Sequence, residues 1–108
     1  MIRIFFVDAF TKELCKGNPA AVCILKEWPS DDVLQSIAFE NNLSETAFVN
    51  LREDPLQMRW FTPTLEVELC GHATLASAYV IFNFLNIQST QILFKSLSGI
   101  LKVKKDLN

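Results

Sequence analysis

The chain has 108 residues, which is enough for one domain with a real hydrophobic core and too few for several domains. Half of the residues are hydrophobic, nine of them Phe, and the formal net charge is only -2. Acidic and basic side chains are spread along the chain, and the only basic cluster is Lys102, Lys104 and Lys105, so a nucleic acid is not expected as a ligand.

The cysteines and the N-terminus indicate where the protein works. The three cysteines, Cys15, Cys23 and Cys70, are odd in number and lack the paired spacing of a disulfide framework or a zinc site. The apolar run at residues 2–7 is too short for a signal peptide and has no small-residue cleavage site after it. We therefore expect a cytoplasmic protein with reduced thiols and no bound metal.

The first part of the chain predicts two strands and a helix. Residues 2–7 are rich in β-branched and aromatic side chains, and residues 20–25 form a second apolar run, so these two strands are expected to pair. Ser30 is a suitable helix N-cap, and apolar side chains at helical spacing follow it. This pattern predicts an amphipathic helix over residues 31–41.

The rest of the chain predicts further strands around one apolar helix. Polar turns at residues 52–55 and at Ser98-Gly99 separate apolar runs and are typical of hairpins. The runs that predict strands are residues 46–51, 57–62, 67–69, 92–97 and 100–103. Strands therefore predominate, with one surface helix and one buried helix, in an α+β domain.

The buried helix is predicted from about Ala73 to Leu85. No Asp, Glu, Lys or Arg occurs between Leu69 and Phe94, and the helix is apolar on nearly every face. Its apolar run is well short of the roughly 20 residues that a membrane span requires, so no membrane insertion is expected. The sequence instead predicts a curved mixed or antiparallel sheet wrapped around a central helix that is almost fully buried.

The segment LCGHATL, residues 69–75, combines a thiol, a glycine and the only histidine at the start of that helix. The first N–H groups of a helix have no intrahelical acceptors and carry partial positive charge. Those of Gly71 to Thr74 therefore suit a carboxylate or enolate oxygen. The alternative is an ordinary strand-glycine-helix turn without chemistry.

Three side chains are candidates for proton chemistry, and each has a structural alternative. Glu45 lies between a polar turn and an apolar strand, where it is either a partly desolvated proton shuttle or a solvated turn residue. His72 is a proton relay or a capping group. Cys70 is a thiolate base whose pKa the helix N-terminus lowers, or an inert buried thiol. Trp60 is most simply a core residue.

Five segments together resemble the phenazine-biosynthesis PhzF-like family. They occur in the family's order and are VDAFT (7–11), GNPAAV (17–22), LSETAFV (43–49), RWFTPT (59–64) and LCGHATLA (69–76). The resemblance implies a fold similar to diaminopimelate epimerase, in which two pseudo-symmetric halves each wrap a sheet around a central helix and the active site lies between them. Residues 1–108 would form a single domain, the N-terminal half of such a protein.

The same resemblance implies a cofactor-independent isomerase in which a glutamate moves a proton on a small carboxylated substrate. Glu45 matches that acid/base residue and His72 matches the histidine of the family's Gly-His motif. The residues implied to hold or border the substrate are Asn18, Ser44, Gly71, Ala73 and Thr74. Cys70 stands where related racemases and epimerases carry a thiol base, so an amino-acid racemase or epimerase is the alternative reaction.

The resemblance implies a protein roughly twice as long as this chain. The opposing half of the site is therefore expected to be missing from this chain. A half-site lacks the wall that excludes water and supplies the remaining groups. We therefore expect either a homodimer or a complementary second-half chain as partner. A non-catalytic remnant that acts as an interaction module is the remaining alternative.

Overall fold

The computed structural model describes residues 2–9, 18–85 and 87–105. Each predicted strand and helix is present in the predicted order, with small differences in the bounds. The fifth strand is shorter than predicted, and the apolar helix begins at Gly71 instead of near Ala73. The elements are β1 (Arg3–Ala9), β2 (Asn18–Leu25), α1 (Asp31–Asn41), β3 (Glu45–Asn50), β4 (Leu56–Phe61), β5 (Glu66–Val67), α2 (Gly71–Phe84), β6 (Gln91–Ser96) and β7 (Gly99–Lys104).

The described strands form one mixed sheet in the order β1-β2-β3-β4-β6-β7, with β5 paired to β4 beside this path. The predicted pairing of β1 with β2 and the two predicted hairpins, β3–β4 and β6–β7, are all antiparallel. β2 and β3 are parallel because α1 carries the chain back between them. The α+β class with a mixed sheet is confirmed.

Helix α1 covers one face of the sheet. The Ser30 hydroxyl accepts a hydrogen bond from the Val33 N–H at 3.3 Å, as the predicted N-cap requires. The helix ends at Asn42, whose φ of 52° lies in the left-handed region that Asn tolerates. Leu34 is fully buried in the small core that α1 forms with β2, β3 and β4. The surface helix of the sequence analysis is therefore confirmed.

Helix α2 packs on the opposite face of the sheet and forms the larger core with it. Successive side chains of a strand point to opposite faces, so alternate residues of the strands belong to the core that α2 shares with the sheet. Small residues of α2 allow the helix to approach the sheet closely. The buried members of this core are Ala20, Val22, Ile24, Ala47, Val49, Met58, Trp60, Ala73, Ala76, Ala78, Val80, Ile81, Ile92 and Phe94.

The prediction that α2 is covered on every face is wrong. Leu75, Tyr79 and Phe84 are 46%, 48% and 55% exposed, although Val80 is fully buried. An open sheet covers only one side of a helix, so the opposite side of α2 is left to solvent in the part of the chain that the structure describes. The ring of Phe84 stacks on Phe5 at 5.6 Å between centroids, which joins the exposed surface to β1. We call Leu75, Tyr79 and Phe84 the exposed α2 face.

Helix α2 is 14 residues long. Within residues 2–9, 18–85 and 87–105, no helix has the length and hydropathy needed to cross a membrane.

Candidate active site

Glu45 begins β3 at the end of the sheet where the parallel strand β2 also begins, and it lies opposite Ala20 in the register. It alternates with Ala47 and Val49, both of which pack against α2, so its side chain is on the α2 face. The residue is half-buried. Its Oε2 atom is buried and has no hydrogen-bond partner among the described residues. A buried carboxylate oxygen without a partner is unusual and requires an explanation.

The turn before α2 is held by hydrogen bonds of its own. Cys70 is the N-cap, and its Sγ accepts from the Ala73 N–H at 3.4 Å. The Cys70 carbonyl accepts from the Thr74 N–H at 3.1 Å and from the Thr74 hydroxyl at 2.7 Å. The prediction that Ala73 and Thr74 have unused N–H groups is therefore wrong, because Cys70 supplies both acceptors. A substrate oxygen at these two residues would have to share or displace those contacts.

The carboxylate of Glu45 lies beside the thiol of Cys70. Burial is the largest effect on this thiol and raises its pKa. The Ala73 N–H lowers the pKa, the charge of Glu45 raises it, the His72 N–H lowers it, and a hydrogen bond with Glu45 raises it. The net pKa of Cys70 is raised. The expectation that the helix N-terminus lowers it is wrong, because burial and Glu45 together outweigh the N–H groups.

The other candidate residues lie around this point. His72 is the second residue of α2 and is half-buried, Gly71 is exposed, and Ser44 is exposed directly before β3. Asn18 begins β2 at the same end of the sheet, but its side chain lies outside the described part of the structure. The fold thus brings Glu45 to the turn that contains Gly71 and His72.

A model of one protein family, described as phenazine biosynthesis-like protein, matches residues 7–108. The chain belongs to this PhzF-like family. It is 52% identical over 105 residues to an uncharacterised isomerase of Pseudomonas aeruginosa, a match that covers 97% of this chain and 40% of that relative. The chain therefore spans about 40% of the length of this curated relative.

Solved structures agree with this assignment. The PhzF-like chain superposes with a TM-score of 0.92 on a phenazine biosynthesis PhzC/PhzF protein from Clostridium difficile, at 47% identity, covering 100% of this chain and 42% of that one. It also superposes with a TM-score of 0.78 on a predicted epimerase from Pseudomonas aeruginosa, at 22% identity, covering 99% and 40%. The second match shows a shared fold, as the sequence resemblance implied.

Gly71 is expected to matter for ligand approach and not for folding. Its φ is not positive, and apart from Gly71 itself, its chain neighbours and the helix's own nearby backbone no atom lies within 4 Å of where a Cβ would be. Gly71→Ala should therefore change the free energy of unfolding by less than about 1 kcal/mol, measured by thermal or urea unfolding. If a ligand oxygen approaches this backbone, the same variant should lower ligand affinity or activity by about tenfold or more. Unchanged activity would exclude close ligand approach at Gly71.

Sequence reasoning missed Arg59, which joins three elements of the PhzF-like domain. Its Nε and Nη2 donate to the two carboxylate oxygens of Glu66, each at 2.8 Å, and its Nη1 donates to Asp31 at 3.0 Å. The hydrogen bond with Glu66 is the largest cause that raises the pKa of Arg59. The guanidinium also lies near the rings of Trp28 and Phe61, at 5.5 and 5.3 Å. No spacing in the sequence predicts these contacts between separate elements.

Trp60 is a core residue, as its simplest interpretation predicted. It is 1% exposed, and its indole Nε1 has no hydrogen-bond partner among the described residues.

No cluster of three or more His, Cys, Asp or Glu that could hold a metal ion occurs within the described ranges.

Proposed function

We propose that residues 1–108 form one domain, the N-terminal half of a cofactor-independent isomerase in which Glu45 moves a proton on a small carboxylated substrate. The observation that carries the proposal is the buried, unpartnered Oε2 of Glu45 beside the N-terminus of α2. An oxygen with no protein donor keeps its lone pairs for a substrate proton. The PhzF-like family and its isomerase-named relative support the same chemistry.

The remaining site residues take roles that follow from their places in the fold. The start of α2 carries the partial positive charge of a helix N-terminus, which favours a substrate carboxylate or the enolate formed when its proton leaves. Gly71 leaves open space there. His72, at the next position, serves as the second proton-transfer group, and Ser44 and Asn18 border the substrate at this end of the sheet. Glu45 accepts the proton from one carbon and delivers it to another.

Cys70 is less well supported as the base of a racemase or epimerase. A thiol removes a proton only as the thiolate, and burial and the Glu45 carboxylate both raise the pKa of Cys70. The negative charge of Glu45 would also repel the thiolate. Its contact with the Ala73 N–H gives Cys70 a structural task as the N-cap of α2.

The second wall of the site would come from a partner. The chain spans about 40% of the length of its curated relative, and the exposed α2 face is an apolar surface that no described residue covers. A complementary second-half chain, or a second copy of this chain, would cover it in the cytoplasm. A non-catalytic interaction module would use the same surface, and only an assay of proton transfer separates that function from the isomerase.

The proposal is tested by solvent exchange. The protein, alone and assembled with a complementary second-half chain, is incubated in D2O with a panel of small carboxylic acids that carry an acidic C–H bond, and deuterium incorporation is followed by proton NMR. A proton that passes through Glu45 exchanges with solvent, so we expect enzyme-dependent loss of one C–H signal in at least one compound. Incorporation without the protein sets the background. A wholly inactive assembly would favour the interaction module.

A further inference from the structure

The short strand β5 is fixed on the α1 side of the sheet by a two-point contact. Both oxygens of Glu66 accept from the Arg59 guanidinium at 2.8 Å, and the two side chains are only 23% and 25% exposed. A bidentate pair fixes the orientation of both groups as well as their distance. The Arg59 guanidinium also lies over the rings of Trp28 and Phe61, at 5.5 and 5.3 Å, and these contacts help to hold it in position.

The next two residues are fixed from other directions. Val67 lies opposite Trp60 and packs into the core on the α2 side. The carbonyl of Glu68 accepts from the Ser98 hydroxyl at 2.7 Å, and Ser98 lies in the turn of the β6–β7 hairpin. Three consecutive residues, 66–68, are thus held by β4, by the core and by a distant hairpin.

The turn before α2 follows immediately along the chain. Cys70 follows Glu68 by two residues and begins the turn that contains Gly71 and His72. Glu45 is placed independently, because β3 is paired on both sides, with β2 and β4. The distance between Glu45 and the turn therefore depends on residues 66–68 on one side of the turn and on the packing of α2 on the other.

We propose that the Arg59–Glu66 pair and Ser98 are positioning residues that hold the turn of residues 69–72 against Glu45. The proposal rests on the proposed function for its significance, and its test does not use that reaction. Folding does not depend on Glu66 alone, because α2 is anchored by the extensive apolar core and Arg59 has Asp31 as a second carboxylate. The variants that test the proposal should therefore fold.

The test measures how fast iodoacetamide alkylates Cys70, with the labelled peptide quantified by mass spectrometry so that Cys15 and Cys23 do not contribute. Glu66→Gln keeps the shape of residue 66 and weakens the two-point contact. Asp31→Asn is the matched control, because it removes a carboxylate from the same guanidinium without acting on β5.

Loosening of the turn should expose Cys70 and move it away from Glu45, which removes two causes of its raised pKa. At pH 8 we expect alkylation to be roughly three- to tenfold faster in Glu66→Gln, with its pH profile moved to lower pH, and unchanged within about twofold in Asp31→Asn. Equal rates in the two variants and the unmodified protein would overturn the proposal, as would equal acceleration in both variants.

Ser98→Ala gives an independent test if Glu66→Gln fails to fold by circular dichroism. Its control is Ser89→Ala, which removes an exposed hydroxyl before β6 that donates to the Gln91 carbonyl at 2.7 Å and accepts from the Gln91 N–H at 3.2 Å, away from Ser98. Ser98→Ala should accelerate alkylation of Cys70 by about twofold or more, and Ser89→Ala should not. Equal rates in both variants would contradict a positioning role. If the variants give the expected alkylation rates but no compound exchanges its proton with solvent, the isomerase proposal alone is rejected.

Discussion

Glu45→Gln in the assembled protein is expected to lower the rate of proton transfer by about 100-fold or more, the scale of a lost general acid/base. The amide has nearly the shape of the carboxylate but cannot accept and return a proton at neutral pH. Oε2 has no hydrogen-bond partner among the described residues, and the amide that replaces the carboxylate can still form a hydrogen bond with the Cys70 thiol. The free energy of unfolding should therefore change by less than about 1 kcal/mol. The rate is measured by deuterium incorporation in D2O.

The matched control for this substitution is Glu40→Gln. Glu40 is an exposed carboxylate on α1, on the other side of the sheet from Glu45. Glu40→Gln removes one negative charge, as Glu45→Gln does, and does not alter the turn before α2. The exchange rate should therefore stay within about twofold of the rate of the unmodified protein. An active Glu45→Gln variant would show that another group carries the proton, and Cys70→Ser would then be the next variant to assay.

The second large effect is expected at the exposed α2 face. At about tens of micromolar the chain should self-associate, most simply as a symmetric dimer that buries more than roughly 1,000 Å². Tyr79→Glu places a charge at the centre of this surface, where its desolvation is unfavourable. We expect the dissociation constant to rise by about 30-fold or more, equal to about 2 kcal/mol. Sedimentation equilibrium measures this change.

Phe39→Glu is the control for that experiment. Phe39 is 62% exposed on α1, so it tests whether any exposed aromatic residue drives association. The dissociation constant should stay within about threefold in this variant. A monomeric chain at these concentrations would show that the exposed α2 face does not bind a second copy, and a complementary half would then be the partner to test.

The positions of the helices and strands follow from the sequence because they depend on neighbours in the chain. The cap at Ser30 joins residues three positions apart, and the turn at Ser98-Gly99 places Gly99 at a φ of 100°, which favours glycine. Alternation along β3 also determines that Glu45 and Ala47 lie on the same face of the sheet. It does not determine which residues from other parts of the chain pack against Glu45 on that face. The five family segments were recognisable for the same reason, because each is a short local pattern.

The tertiary structure decided what depends on residues far apart in the sequence. An apolar helix does not reveal which of its faces is covered, so the exposure of Leu75 and Tyr79 became apparent only when the sheet was seen to cover one side. The pKa of Cys70 is a sum of burial, nearby N–H groups and the charge of Glu45, and the helix N-terminus alone predicted the wrong direction. The contact between Arg59 and Glu66 likewise depends on the pairing of β5 with β4, and the sequence does not give the distance between these two side chains.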